Sequence, residues 1–422
     1  MNRRQLLKYF FNLSILSASS SLMKVNTSFA KHSGKVVILG AGWGGLSAAK
    51  TIKMLNPSID VTIIEKNKNF KSCPVSNWVI GQIKSMEDIT FSFGALKNKY
   101  SINFIHEQAI QFDFDKKNVS TNNFNVQYDK LVLSPGIMLD YSNIENWNKN
   151  SYEIFPSAWK AGNETILLSR QIQNIKDGGT VALSIPLSPY RCPPGPYERA
   201  SLIASYLKRN KKRAKLIVLD ANEKIVSKGA LFKEAWDEYY SDIIEYRPNS
   251  GVVGVDNSSK TLMTDFDDIK CDVANLIPAQ SVASILRKNN LVAQGQNWAS
   301  VDPFDFSSSF VKDVFIIGDS TSQSSVGKVP KSGYIANSMG KVCGLAVVSE
   351  LADLEKLTPS MINTCYSLVS PEEGISVSAV YTYDSKDKKI IKITSGLSPN
   401  RSELIKDNAW DWAQNIWEDM LL

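Results

Sequence analysis

Residues 34–65 set the hydrophobic pattern for much of the chain. A short apolar run, Val36–Leu39, breaks at Gly40, Gly42 and Gly45, an apolar-periodic stretch follows, and a second apolar run, Val61–Ile64, ends at Glu65. Short apolar runs bounded by glycine or an acid read as buried strands, and helix-period spacing between them makes a strand–helix–strand unit. The rhythm returns further on, with a strand expected over 179–185, a helix from Pro196 to Tyr206 and a strand from Lys215 to Leu219 ending at Asp220. Lys130–Leu133 reads as a strand stopped by Ser134-Pro135-Gly136, and the Asn- and Tyr-rich stretch 141–157 as a crossover. Val314–Ile317 reads as a buried strand that stops at Gly318-Asp319, and a long helix is expected from Tyr334 to Leu351.

The glycines of the first unit follow the G-x-G-x-x-G spacing. Gly40 allows the tight turn, Gly42 lets backbone approach a pyrophosphate, and Gly45 lets helix and strand pack closely. The helix start offers free N–H groups to phosphates, and Glu65 stands where an acid accepts hydrogen bonds from a ribose. The second unit keeps the rhythm but not the loop. After its strand the chain reads PLSPYRCPPGP over 186–196, whose five prolines remove N–H donors and block a pyrophosphate. This domain is expected to keep the dinucleotide fold without the dinucleotide, which argues against a nicotinamide-dependent enzyme. Gly318-Asp319 at the end of its strand suits a ribityl contact and, with the glycine loop, favours FAD. Lys331, Ser332 and Gly333 open the long helix, whose N-terminus would stabilise negative charge on a reduced flavin ring; Ser332 also reads simply as an N-cap.

The first thirty residues change how the composition is read. Arg3-Arg4-Gln5-Leu6-Leu7-Lys8, an apolar Ser-rich stretch and Ser28-Phe29-Ala30 resemble a twin-arginine signal peptide cut after Ala30, which implies a periplasmic location. The alternative, an N-terminal anchor, has an apolar run that is short and interrupted by Asn12, Ser14 and Ser17. Setting aside Arg3, Arg4, Lys8 and Lys24 leaves 44 basic against 42 acidic residues, so the net charge of +6 gives no case for nucleic acid. No transmembrane segment is expected in the mature chain. Only His32 and His106 are histidines and no C-x-x-C occurs, so neither a metal site nor attached haem is expected.

Five cysteines remain: Cys73, Cys192, Cys271, Cys343 and Cys365. Cys192 lies between Arg191 and a rigid Pro193-Pro194-Gly195-Pro196 turn at a helix start, a setting expected to favour thiolate. Cys271 and Cys343 read as structural. Glu198, six residues after Cys192, reads either as a proton relay or as a surface helix acid. The terminal segment places Trp410 and Trp417 at helix-like spacing, for a partner-docking or membrane-surface face or for a helix packed on its own domain.

The strings GAGWGGLSAAKTI, SNWVIG after Cys73, RCPPGPYERAS, VPKSGYIANS and TCYSLVSPEEGISV resemble the flavoprotein subunits of flavocytochrome c sulfide dehydrogenases over nearly the full mature length. The resemblance implies an α/β, glutathione-reductase-like flavoprotein with two dinucleotide-binding-type domains and a smaller C-terminal α+β interface domain. The expected division is 1–30 leader, 31–150 and 286–351 FAD-binding, 151–285 second Rossmann-like domain, and 352–422 interface domain. The resemblance also implies FAD joined covalently to Cys73, a redox-active disulfide mapping onto Cys192 and Cys365, sulfide as substrate and a separate c-type cytochrome subunit as acceptor. Gly318-Asp319-Ser320-Thr321 departs from the family pattern by its polar residues. Three rival expectations are a sulfide:quinone oxidoreductase, a type II NADH dehydrogenase, which the proline loop at 186–196 opposes, and a non-catalytic exported flavoprotein that escorts a cytochrome or metallocentre.

Overall fold

A computed structural model describes residues 33–422; the expected leader lies outside the described residues. The glycine-loop unit forms as β1 (Lys35–Leu39), α1 (Trp43–Leu55) and β2 (Asp60–Ile64). Three further strands complete its sheet: β3 (Asn103–Ile105), β4 (Lys130–Leu133) and, much later in the chain, Val314–Ile316. That late strand pairs with β4, so the five-stranded parallel sheet runs Val314–Ile316, β4, β1, β2, β3. The return of a distant strand to this sheet is what brings Gly318-Asp319 to the mouth of the glycine loop.

The chain leaves through β5 (Ile137–Asp140) and comes back through Ala279–Val282, and these two strands pair antiparallel. Between them lies a second parallel sheet built on β6 (Thr180–Ile185), α2 (Gly195–Asn210), β7 (Lys215–Asp220), α3 (Gly229–Tyr239), β8 (Ile244–Arg247) and β9 (Val273–Leu276), in the order β8-β7-β6-β9. All of its pairings are parallel, as strand–helix–strand crossovers require. The expected dinucleotide fold of this region is therefore present. Its terminal acid, Asp220, is engaged by protein groups: it accepts from the Tyr197 and Tyr246 hydroxyls at 2.8 and 2.9 Å, and from Asn222. Buried Tyr197 and half-buried Tyr246 stand over the acid that a ribose would otherwise meet.

After the ladder Ala279–Val282 (β10) and the return strand Val314–Ile316 (β11) comes the 19-residue helix α4 (Gly333–Leu351). It crosses α1 at very short range. A Cβ on Gly340 would stand 2.3 Å from the Gly44 carbonyl oxygen, and one on Gly344 would stand 3.0 Å from that of Ala48. A Cβ on Gly333 would meet the Trp43 ring at 2.9 Å. The two helices therefore begin side by side, and two positive dipole ends share one space.

The last segment forms an antiparallel sheet, β12 (Ser360–Leu368), β13 (Gly374–Asp384) and β14 (Lys389–Leu397), followed by α5 (Glu403–Leu421). It has no core of its own. Ala409, Ala413, Ile416, Trp417 and Met420 of α5 join the core of the first domain, while Val369 and Ile375 join that of the second. Trp412 stacks between Trp43 and Tyr334, each at a centroid distance of 6.1 Å, and Trp410 lies against Trp78 at 5.9 Å. The terminal helix thus packs on its own chain. Among the described residues no helix is long and apolar enough to cross a membrane.

Gly340→Ala tests the close crossing. Its Cβ has rigid backbone to displace, so the variant should lose about 1–3 kcal/mol of stability, seen as a lower denaturant midpoint at unchanged slope. An unchanged midpoint would show that the helices separate at no cost.

Candidate active site

The glycine loop is shaped as its residue types demand. Gly40 holds φ +96°, and a Cβ there would lie 2.4 Å from the Ser134 carbonyl oxygen; a Cβ on Gly45 would lie 1.9 Å from that of Gly40. Gly42, by contrast, faces open space, with nothing within 4 Å of its would-be Cβ. It precedes α1 without a capping side chain, so the first N–H groups of α1 are free for phosphate oxygens. Glu65 stands beside this loop: its Oε2 accepts from the Ala41 N–H at 3.0 Å and its Oε1 from Asn67. Asp319 completes the cradle. Its Oδ1 is buried without a partner, and burial raises its carboxyl's pKa against the lowering pull of Arg191 and Lys331. A buried acceptor with no donor is costly, and a polyol hydroxyl would satisfy it. An open glycine, an uncapped helix start and an orphaned acid are the features a flavin dinucleotide needs. The polar run after Asp319 turns inward: Ser320 donates to the Gly136 carbonyl at 2.7 Å and Thr321 to that of Gly318 at 2.8 Å.

Ser332 is the N-cap of α4, accepting from the Ile335 N–H at 3.1 Å, and it also donates to Asn363 at 2.6 Å. Lys331 is buried. Its Nζ donates to the Asp319 and Thr321 carbonyls at 2.8 and 2.7 Å and lies 3.6 Å from the Trp298 ring centroid, and burial brings its pKa down to about 8. The Lys331 side chain thus fastens the Asp319 turn, while its backbone carbonyl accepts the Cys192 N–H at 2.7 Å. That bond ties the proline loop of the second domain to the start of α4.

Cys192 holds φ +58°, a left-handed conformation that costs a non-glycine residue about 1–3 kcal/mol. The loop offsets this with bonds on both sides, the N–H to Lys331 and the carbonyl accepting from Gly195 at 2.8 Å. Gly195 has to be glycine, because a Cβ there would reach the Cys192 Sγ at 2.9 Å and the Trp159 ring at 2.8 Å. The expectation of a favoured thiolate at Cys192 is corrected. Burial, then Cys365 and Glu198, raise its pKa far more than Arg191 and Lys228 lower it. The Arg191 guanidinium is turned to the Trp159 carbonyl rather than to the sulfur. Cys192 and Cys365 both keep partial exposure, both are free thiols here, and each lies within electrostatic reach of Glu198 and Lys228.

Glu198 is no surface acid, being only 7% exposed. Its Oε2 accepts from Asn77 Nδ2 at 2.9 Å, and its Oε1 accepts from Trp78 Nε1 at 3.1 Å and from the Leu368 N–H at 2.9 Å. One carboxylate on α2 therefore grips the segment after Cys73 and the strand that carries Cys365. Cys73 lies between the strand Asn69–Lys71 and the helix Ser76–Ile80. Its carbonyl accepts from the Ser76 N–H and hydroxyl, and the next residue, Pro74, lies 3.1 Å from where a Gly333 Cβ would be. The Cys73 loop is thereby set against the start of α4. Cys271 and Cys343 are buried in apolar surroundings, and their thiols are raised by that burial. Among the described residues no group of histidine, cysteine and acid side chains is placed to hold a metal.

Three contributors carry no sequence signature. Lys228 is buried before α3, with its Nζ 3.2 Å from the Cys365 carbonyl and 2.8 Å from Ser367 Oγ. Arg199 is buried against Trp159 and donates to Asn77, Ser157, Ala158 and Asn275; burial lowers its pKa to about 9. Asn275 reaches back to the Pro156 and Ser157 carbonyls and fixes the end of the crossover.

This fold and site define a flavoprotein of the pyridine nucleotide-disulphide oxidoreductase type, and residues 34–160 match the family description of that name. Residues 165–278 match the central region of the sulfide dehydrogenase [flavocytochrome c] flavoprotein chain, and residues 357–421 match the flavin-binding region of flavocytochrome c sulphide dehydrogenase. In its central and C-terminal regions the chain is thus similar to flavocytochrome c sulfide dehydrogenase flavoprotein chains. It is also similar to the sulfide-quinone reductase of Aquifex aeolicus, 32% identical over 126 residues, which cover 30% of this chain and 28% of that one. The mitochondrial sulfide:quinone oxidoreductase of Mus musculus is 21% identical over 341 residues, covering 74% of this chain and 71% of that one. Among solved structures, the Aquifex aeolicus sulfide:quinone oxidoreductase superposes with a TM-score of 0.75 at 17% identity, over 92% of this chain and 91% of that one. A NAD-dependent persulfide reductase from A. fulgidus superposes at 0.64 with 14% identity, over 92% of this chain and 77% of that one; both likenesses concern the fold.

Glu198→Gln tests the grip at the centre of the site. Three donors face the carboxylate, and the amide offers one oxygen and one NH2, so one donor–donor conflict follows. Stability should fall by about 1–3 kcal/mol, measured by denaturant unfolding of the flavin-loaded protein. Wild-type stability would mean that the three bonds contribute nothing.

Proposed function

We propose that this protein oxidises sulfide at a Cys192–Cys365 disulfide beside FAD and passes electrons to a c-type cytochrome. The observation that carries the proposal is the Cys192 loop bound to Lys331 and, through Glu198, to the strand of Cys365. Two cysteines 173 positions apart are thereby directed to the mouth of a dinucleotide cradle. Gly40, Gly42, Gly45, Glu65, Gly318 and Asp319 would hold the cofactor's phosphates, ribose and ribityl chain, with the α4 start at Lys331, Ser332 and Gly333 near its ring and Cys73 as the covalent attachment. When bound, the flavin supplies the two-electron acceptance and one-electron release that side chains lack.

The chain's own step is thiol–disulfide exchange. A hydrosulfide lone pair forms a bond to one cysteine sulfur, the S–S bond breaks, and its electron pair leaves with the other sulfur as thiolate. The Cys192 backbone is locked, so the sulfur reacts with little loss of loop freedom. Burial raises both thiols, which favours a bonded pair over two buried thiolates. Glu198 keeps one open acceptor position on Oε2, the place where a sulfur-bound proton would be received. The twin-arginine signal suits a chain exported already folded around its cofactor, with the periplasm as its location.

A second reading is supported by the relatives' names, in which quinone is the acceptor. Sulfide added to purified protein should bleach the flavin and then reduce cytochrome c; reduction of a quinone analogue without any cytochrome would select the second reading. Cys192→Ser should lose sulfide oxidation by at least about a hundredfold while keeping its flavin, and full activity would refute the disulfide. Acid precipitation should release flavin from Cys73→Ala and leave it attached in the wild type; release from the wild type would refute the covalent link.

A further inference from the structure

Lys228 is a lysine that burial should not tolerate without cause. It is 4% exposed and holds φ +57° immediately before α3. Its Nζ donates to two uncharged acceptors, the Cys365 carbonyl at 3.2 Å and Ser367 Oγ at 2.8 Å. No carboxylate among the described residues lies within ion-pair distance of it, although buried ammonium groups are normally paired. The carboxylate that acts on it, Glu198, accepts from Asn77, Trp78 and Leu368 and not from Lys228. An ammonium has three protons, and the two hydrogen bonds leave one over. The remaining candidates for an anion are the two sulfurs, with Cys365 acting on Lys228 more strongly than Cys192 does.

The charged and titratable groups around the sulfur pair come from four places: Tyr190, Arg191 and Cys192 on the proline loop, Glu198 and Arg199 on α2, Lys228 before α3, and Cys365 on β12. Arg191 and Arg199 bond to carbonyls and amides, and both act on Cys192 rather than on Cys365. Glu198 disfavours an anion at either sulfur. Lys228 alone favours one at Cys365.

We propose that Lys228 is the countercharge of the sulfur pair, a positioning residue that makes Cys365, rather than Cys192, the sulfur carrying the negative charge once the pair is reduced. This rests on the pair being the reactive disulfide proposed above. It gives the exchange a direction: hydrosulfide bonds to Cys192, the S–S electron pair leaves with Cys365, and the resulting thiolate sits beside the Lys228 amino group, whose pKa burial lowers and the charge at Cys365 raises. No proton has to move for this step.

The test is the pH profile of iodoacetamide alkylation at each cysteine, read by peptide mass spectrometry on flavin-loaded protein after dithiothreitol reduction. In the wild type Cys365 should alkylate with the lower midpoint. Lys228→Met should raise that midpoint by about one pH unit or more, with flavin content unchanged, and Lys228→Arg should restore it. A wild-type midpoint at Cys365 equal to or above that of Cys192 would overturn the assignment, as would an unshifted Lys228→Met; the wild-type order decides if that variant does not fold. The assay contains no sulfide. Profiles that move as expected in a protein whose flavin sulfide cannot bleach would leave Lys228 assigned and remove the proposed substrate.

Discussion

The arrangement of this molecule depends on one buried carboxylate. Glu198 sits on the first turn of α2, just after the Cys192 loop, and accepts hydrogen bonds from Asn77, Trp78 and the backbone of Leu368. Those donors belong to the segment after Cys73 and to the strand that bears Cys365. A buried acid with three donors in place is rigid, because losing any one of them leaves an unsatisfied group away from water. The three parts of the chain that carry candidate chemistry are therefore registered on one side chain. The Cys192 N–H to Lys331 carbonyl bond adds a second tie.

Around that point the architecture supplies a cradle and a pair of sulfurs by separate means. The cradle comes from close packing. Gly340 and Gly344 let α4 lie on α1 at Gly44 and Ala48, so both helix starts converge. The sulfurs come from loop geometry, with Cys192 strained into a left-handed conformation and Gly195 leaving room for its Sγ. The second domain contributes scaffold. Its prolines and the Tyr197–Asp220–Tyr246 cluster fill what would otherwise be a nucleotide site. A dinucleotide fold has in this way been turned into a support for a reactive loop.

Much of this was legible in the chain, for reasons that can be named. Glycine at Gly40 and Gly45, and the prolines of 186–196, act through backbone sterics that travel with the residue type, so their consequences show without tertiary information. The Lys130–Leu133 strand has the same bounds in sequence and structure, because Ser134-Pro135-Gly136 stops it locally. What sequence could not show depends on partners far along the chain. Glu198 reads equally as a proton relay and as a surface helix acid until Asn77 and Leu368 are seen to reach it. Arg191 beside Cys192 suggests a thiolate, but its guanidinium turns to Trp159 and burial prevails. Lys228 lies in a plain polar stretch, and its meaning appears only when β12 is folded over it. The terminal tryptophans carried either an outward or an inward assignment, and the shared core with the first domain assigns them inward.

The central claim is that folding alone sets Cys192 and Cys365 together as a pair. Peptide mapping of the oxidised protein under non-reducing conditions, with free thiols blocked before digestion, tests it most directly. The account predicts one cross-linked species joining the peptides of Cys192 and Cys365, with Cys271 and Cys343 recovered as blocked thiols. Recovery of Cys192 and Cys365 as separately blocked peptides, or either one joined to another cysteine, would contradict it.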